Sequence, residues 1–387
     1  MCIKPRRLIG SLVLSVLVFL FLSCGGSSRP AGLLLVISQG AADVTSYGID
    51  LNTGSLSHIN TAAAVPGNTT PTAIALDPTG SFAYVTDQAT GGGSGSISAY
   101  SVKRDGTLSS AGSTTATLLN PVALTIDKGG HFLFLTNQGS NNVSVFSIGA
   151  SASLTAVCPP NTTPPCGFDS GVPATAGSSS AAPSGVAITP SGNYLYVANQ
   201  GQNTVSGFKV NSSPGFLTPV PGSPFAVGSS PMGLAIDPGG KYLYVANEGS
   251  NNVSAFTICA STLPSCMAVD GSLVQVTGSP FSAGLGPVSL AVDPSGNFLY
   301  VAATNSNQLS AYRLSPSTGA LTPLTTPTES TGTNPTFVAI HPGGNFLYVP
   351  NSGSDSVSGF RLTTQSGVLT PLPTASTASH PVGIALK

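Results

Sequence analysis

The chain has 387 residues and a formal charge of −1, from 12 Lys and Arg against 13 Asp and Glu, and only 6% of it is charged. Soluble domains carry about 25% charged residues, so coiled coils, basic nucleic-acid binders and acidic tails are excluded. Gly (46) and Pro (32) make a fifth of the chain while 41% of it is hydrophobic, a composition that describes many short strands joined by tight turns.

Lys4, Arg6 and Arg7 precede an uninterrupted run of apolar and small residues from Leu8 to Leu22, followed by Ser23-Cys24-Gly25-Gly26. A positive segment, an apolar core and a small residue before a break form an export signal. As a helix the run would rise about 22 Å, short of the roughly 30 Å hydrocarbon layer, so a cleaved leader fits better than a permanent span. Leu20-Phe21-Leu22-Ser23-Cys24 resembles a bacterial lipobox, and that resemblance implies that Cys24 is lipidated and becomes the first mature residue. The expected organisation is a signal peptide over 1–23, a lipidated tether over 24–32 and a folded body over 33–387. Removing the leader leaves nine basic against thirteen acidic residues, a charge of −4, and an anionic polymer is not the expected partner.

Cysteine usage agrees with export. Cys158 and Cys166 bracket one Pro-containing loop, Cys259 and Cys266 another, and two local disulfides in an oxidising compartment are expected. Zinc is the rival reading of four cysteines, but the spacings are not Cys-x2-Cys and no His lies near either pair, so no metal is expected.

One phrase recurs along the body. Pro231-Met-Gly-Leu-Ala-Ile-Asp-Pro-Gly-Gly-Lys-Tyr-Leu-Tyr-Val-Ala-Asn247 is echoed from Pro71, Pro121, Pro183, Pro287 and Pro335, with the turn position at Asp77, Asp127, Thr189, Asp237, Asp293 and His341. Each copy predicts a short inner strand, a tight Asp-Pro-x-Gly turn, a second strand apolar on both faces, a polar loop and an alternating third strand such as Asn252–Ile258. A fourth, Pro-containing strand such as Leu217–Val220 suits only the outer edge of a sheet. The ends hold the two halves of a seventh copy: Leu33–Gly40 reads as the second strand and Pro381–Leu386 as the first. Repeats of roughly 45 residues with four strands each define a propeller, so the expected fold is all-β: a seven-bladed β-propeller of four-stranded antiparallel blades, closed by the C-terminal strand completing the N-terminal blade.

Tyr-Val-Ala-Asn after Asp-Pro-x-Gly resembles the YVTN-type repeat, and the chain from about Leu33 to Lys387 is similar to the lactonase-like seven-bladed propellers, 6-phosphogluconolactonase and muconate-cycloisomerase relatives among them. The resemblance implies a site at one end of the central axis. Fold alone does not assign chemistry.

In such a ring the loops leaving second strands and those leading into first strands share one face. The residues there that break the repeat are Asp87, Glu248, Asp355 and His380; Asn120 and Asn334 sit on the loops before two inner strands. An acid and a His near one funnel could perform general acid–base work on a lactone ring, although exposed carboxylates more often only solvate a loop. Most Asn positions on that face recur, and side-chain capping of adjacent backbone is their ordinary role. His58, His131 and His341 fall on turns or strands away from it. Lys128, Lys241, Arg313 and Arg361 occupy turn or outer-strand positions, so no cationic pocket for a phosphate is expected. Asp43, Asp87 and Asp355 lack the Asp-x-Asp-x-Asp-Gly arrangement of a calcium loop, and Gly91–Gly95 lacks the Gly-Lys-Ser/Thr of a phosphate loop. No cofactor is expected.

The sequence alone favours an exported cell-envelope lipoprotein, on the periplasmic or surface side, whose propeller binds or scaffolds a protein or carbohydrate partner. Contact with the membrane would be through the lipid anchor only. The alternative is a lactonase-like hydrolase working at the funnel.

Overall fold

The computed structural model describes residues 32–63, 69–91, 93–170, 180–260 and 270–387; the leader, Cys24 and residues 25–31 lie outside them. Seven antiparallel sheets surround a common axis, and no α-helix occurs among the described residues. Blade 1 is composite, with strand order Leu56–Ala63, Asp43–Ile49, Gly32–Ser38 and Pro381–Leu386 from rim to axis. Blades 2 to 7 follow in chain order, their inner strands beginning at Thr69, Pro121, Pro183, Pro231 and Pro287, and in blade 7 at the Pro335–Asn351 bridge before Ala339–Ile340. In five blades a short further strand pairs the outer end of the third.

The second strands carry the core because they are sandwiched between neighbouring blades. Tyr84, Tyr196, Tyr244, Tyr300, Tyr348 and Phe134 occupy one position in six blades and are fully buried. Four of these tyrosines tie each blade to the next: the hydroxyl of Tyr196 donates to the carbonyl of Gly271 at 2.8 Å, Tyr244 to Gly319 at 2.9 Å, Tyr300 to Gly367 at 2.7 Å and Tyr348 to Gly54 at 2.8 Å. Each glycine has positive φ, and a Cβ there would strike an aromatic ring or its neighbour, Phe346 at Gly54 and Phe298 at Gly367. The Tyr348–Gly54 bond joins blade 7 to blade 1 and so helps to close the ring.

Closure is otherwise the pairing of Leu34–Ser38 with Pro381–Leu386, extended by reciprocal backbone bonds between Leu33 and Lys387 at 3.0 Å. The lower face holds the Asp-Pro-x-Gly turns. Asp127, Asp237 and Asp293 each accept the backbone N–H groups that begin the next strand, Phe132, Tyr242 and Phe298 respectively, at 2.5–2.7 Å. Cys158 and Cys166 form a disulfide beside the fourth strand of blade 3. Cys259 is also disulfide-bonded, and Cys266, its expected partner, lies outside the described residues.

Candidate site at the upper mouth of the axial channel

The inner strands begin on the upper face, where the loops between second and third strands also lie. The residue before each inner strand is held at positive φ in six blades: Asn120, Ala182, Ser230, Gly286, Asn334 and His380. An acceptor from the preceding blade's second-to-third-strand loop fixes most of them. Asn141, Asn203, Asn251 and Asn307, themselves at positive φ, accept the backbone N–H of Ala182, Ser230, Gly286 and Asn334 at 2.8–2.9 Å. Asp355 does the same for His380 at 2.8 Å. Asp355 and His380 are therefore brought together, but through the backbone of His380, and both side chains stand exposed on the rim.

Asp87 has another position. It lies two residues before the end of the second strand of blade 2, Phe82–Ala89, at the position where blades 3, 4, 5 and 7 have Asn137, Asn199, Asn247 and Asn351, each fully buried and donating its Nδ2 to a serine Oγ of the third strand at 2.9 Å. At Asp87 the direction reverses, and Ser98 Oγ donates to Oδ2 at 3.4 Å while Oδ1 has no partner among the described residues. Full burial pushes the Asp87 carboxyl up to about 7. In the neighbouring blade 1 burial also raises Asp43, which Ser38 and Thr45 partly offset. Asn120 is half-buried with its Oδ1 unpartnered, and Asn334 is exposed. Glu248 is half-buried on blade 5, away from blades 7, 1 and 2, which carry Asp355, His380 and Asp87. Among the described residues no three His, Cys, Asp or Glu come close enough to hold a metal ion.

What lies at the mouth instead is an amide rim. The residue after each second-strand Asn position is Gln39, Gln88, Gln138, Gln200, Glu248, Thr304 or Ser352, and every one is half-buried. All but Gln88 donate a backbone N–H to the carbonyl of the residue before the inner strand, as Gln138 does to Asn120 at 2.8 Å. Gln138 lines the channel and its Nε2 donates to Gln200 Oε1 of the next blade at 3.2 Å. These glutamines, which follow Ser38, Asp87, Asn137 and Asn199, were not among the candidates read from the sequence; their shared position in the repeat is the signal that finds them.

Below the rim the channel encloses about 640 Å3 between the inner strands and is lined by aliphatic side chains such as Ile74, Leu124, Val186 and Leu234. Three of its hydroxyls are already engaged: Thr72 donates to the Pro121 carbonyl and Ser184 to the Pro231 carbonyl, both at 2.7 Å, and Thr336 to the Pro381 carbonyl at 3.3 Å. No charged side chain lines it. The described Lys and Arg residues lie at lower turns, on third strands or at the C-terminus, and Lys387 Nζ donates to the Thr79 carbonyl of a lower turn at 2.7 Å.

The molecule is thus a seven-bladed propeller with a polar upper mouth over an apolar axial channel. The chain belongs to the family described as lactonase, 7-bladed beta-propeller, whose match covers residues 33–162, 169–264 and 273–386. Among solved structures it is similar to a periplasmic gluconolactonase of Pseudomonas aeruginosa, at 21% identity and a TM-score of 0.75, covering 92% of this chain and 98% of that one. It is also similar to a provisionally named 6-phosphogluconolactonase of Bacteroides uniformis, at 18% identity and a TM-score of 0.76, covering 92% and 99%. A protein of Lactobacillus plantarum matches at 20% identity and a TM-score of 0.73 over the same shares. Identities this low establish the fold alone. No curated protein sequence matches the chain.

Proposed function

We propose that the chain is a lactone hydrolase acting on uncharged lactones at the upper mouth, exported and anchored to the cell envelope through Cys24. The observation that carries this reading is the rim. Gln39, Gln88, Gln138, Gln200 and Glu248 share one position on the upper face of blades 1 to 5, Gln138 lines the channel and bonds Gln200, and every described Lys and Arg is elsewhere. Amide groups donate to and accept from hydroxyls and ring carbonyls without charge, whereas a phosphate dianion needs Arg or Lys. In the reaction water adds to the lactone carbonyl as Glu248 takes its proton. Rim amide N–H groups stabilise the oxyanion, and collapse breaks the acyl–oxygen bond, the ring oxygen taking up the proton. Family membership supports the reaction class, and the Pseudomonas neighbour, a gluconolactonase, supports a substrate without phosphate.

One observation favours the binding-module reading: Asp355 serves the backbone of His380, and Asp87 is sealed from the mouth, so Glu248 has no ionisable partner among these candidates. Hydrolysis assays separate the two. Wild type should open glucono-δ-lactone faster than buffer and prefer it to the 6-phosphate, and Glu248→Gln should lower kcat about a hundredfold or more. Hydrolysis no faster than buffer would leave a binding propeller for a protein or carbohydrate partner. Membrane partition of Cys24→Ala beside wild type checks the anchor, and equal association of both would remove it.

A further inference from the structure

The axial channel breaks its sevenfold pattern at one residue. Two positions after each inner-strand Pro the blades carry Ala73, Ala123, Gly185, Gly233, Ser289 and Gly383, all small and all lining the channel. In blade 7 that position is Phe337, which also lines the channel and keeps 40% of its surface exposed. The reason for small residues is visible in the neighbours: a Cβ on Gly233 would meet the Val288 carbonyl, and one on Gly185 would crowd Leu234. The strand keeps its course around the ring: after the Pro335–Asn351 bridge blade 7 makes the same one-residue register shift as blade 5, and Ala339 pairs Tyr348 as Ala235 pairs Tyr244, with the pair between them, Val338 with Val349, missing from the ladder.

The exposure does not come from a loose segment. The Thr336 N–H donates to the Pro350 carbonyl at 3.0 Å, and Thr336 Oγ1 donates to the Pro381 carbonyl of blade 1 at 3.3 Å. On the other side Val338 N donates to Ser289 Oγ of blade 6 at 3.2 Å. Phe337 is thus clamped to both adjacent blades, with its ring presented to the lumen roughly 7 Å along the strand from the rim. A clamped aromatic with 40% of its surface open thus stands where every other blade carries a small residue, and one ladder pair is lost beside it.

We infer that Phe337 is the platform on which a neutral, hydroxylated ring ligand stacks, with its hydroxyls directed up to the amide rim at Gln138 and Gln200. This rests on reading the mouth as a lactone site. The apolar face of such a ring matches the phenyl face and the aliphatic wall, and its hydroxyls match uncharged donors and acceptors. A ligand carrying a net charge would find no counter-charge among the side chains that line the channel.

The chain contains no Trp, so Phe337→Trp places a single reporter in the lumen. The probe is gluconolactam, which cannot be hydrolysed, added at up to millimolar concentration and followed by Trp emission and by calorimetry on wild type, Phe337→Trp and Phe337→Ala. Melting curves establish that each variant is folded. The expected result is saturable change in Trp emission at the calorimetric Kd, and about tenfold weaker binding in Phe337→Ala. In turnover the same variant should raise KM for glucono-δ-lactone with kcat little changed. Equal lactam affinity in wild type and Phe337→Ala overturns the platform, as does binding heat without any Trp response. Phe337-dependent lactam binding in a protein that hydrolyses no lactone keeps the platform and sinks the hydrolase reading. No binding to wild type overturns both.

Discussion

Asp87 shows what a single carboxylate does in a position built for an amide. The four asparagines at that position donate to a serine and leave only a neutral Oδ1 unpartnered; an ionised carboxylate cannot donate, and at Asp87 the unpartnered oxygen in the fully buried site shares a full negative charge. Its pKa, raised to about 7 by burial, exceeds the unfolded value of 3.8, so between those values the folded chain holds a proton that the unfolded chain has released. The sign follows from linkage. Asp87 costs nothing below pH 3.8, and its cost grows as pH rises through the window, reaching roughly 2–4 kcal/mol above pH 7. Asp87→Asn should therefore raise Tm at pH 8 and leave it nearly unchanged near pH 4. His341 slopes the other way: its pKa is lowered by burial, its Nδ1 accepts the Gly343 N–H at 3.0 Å, and stability is lost as pH falls below the unfolded value of 6.5. The difference between variant and wild type at each pH isolates Asp87, and a difference that does not grow with pH would refute this account. Legibility at this scale was partial. Asp87, Asp355 and His380 were visible as departures from the repeat, yet Asp355 departs in name only, because Asn and Asp offer the same Oδ1 to a backbone N–H. Phe337 departs in volume, and volume is what the small-residue column senses.

Between elements, the tyrosine–glycine bonds are the joints. Each buried hydroxyl satisfies a carbonyl of the next blade, so Tyr196→Phe, Tyr244→Phe, Tyr300→Phe or Tyr348→Phe removes a bond and orphans an acceptor, at about 1–3 kcal/mol apiece. Blade 2 supplies its own control. Tyr84 occupies the same position, but the turn after Ile148 in blade 3 offers no matching glycine, its hydroxyl has no partner among the described residues, and its pKa is pushed up to about 12 chiefly by burial. Tyr84→Phe should then be neutral or stabilising. Urea unfolding of the five variants measures this directly, and an equal loss at all five would mean that ring packing, not the hydroxyl bond, joins the blades. The Tyr-Leu-Tyr-Val strands, their Asp-Pro-x-Gly turns and the weak outer strands were all readable from apolar runs and Pro placement. The joints were not, since the partner glycine lies 67 to 75 residues downstream in three cases and is reached across the ring closure in the fourth. The shortened inner strand of blade 7 was likewise invisible while Pro335–Ile340 was counted as an ordinary copy.

Over the whole molecule, the ring turns on its last strand. The two half-copies at the ends predicted closure, and the structure pairs Leu34 with Leu386, Leu35 with Ala385 and Val36 with Ile384. Ile384 and Ala385 are buried, and Ile384 packs with Leu34, Val36, Tyr348 and Val357, side chains of blades 1 and 7. Lys387 adds bonds to the Thr79 and Gly80 carbonyls of blade 2, so the final seven residues touch the blades on both sides of their own. Deleting 381–387 removes the inner strand of blade 1, leaves the Gly32–Ser38 edge unpaired and opens the axial channel between blades 2 and 7. An exposed apolar edge strand recruits other chains, whereas loss of a frayed terminus is nearly silent. The truncated protein should aggregate or fall to limited proteolysis under conditions in which the full chain is stable. A second variant, Ile384→Ala, tests the same contact without removing backbone pairing and should cost about 2–5 kcal/mol through the cavity left between blades 1 and 7. If the truncation kept the melting temperature and solubility of the full chain and Ile384→Ala were neutral, the C-terminal strand would be an accessory to a ring closed by other contacts, with the Tyr348–Gly54 bond first among them.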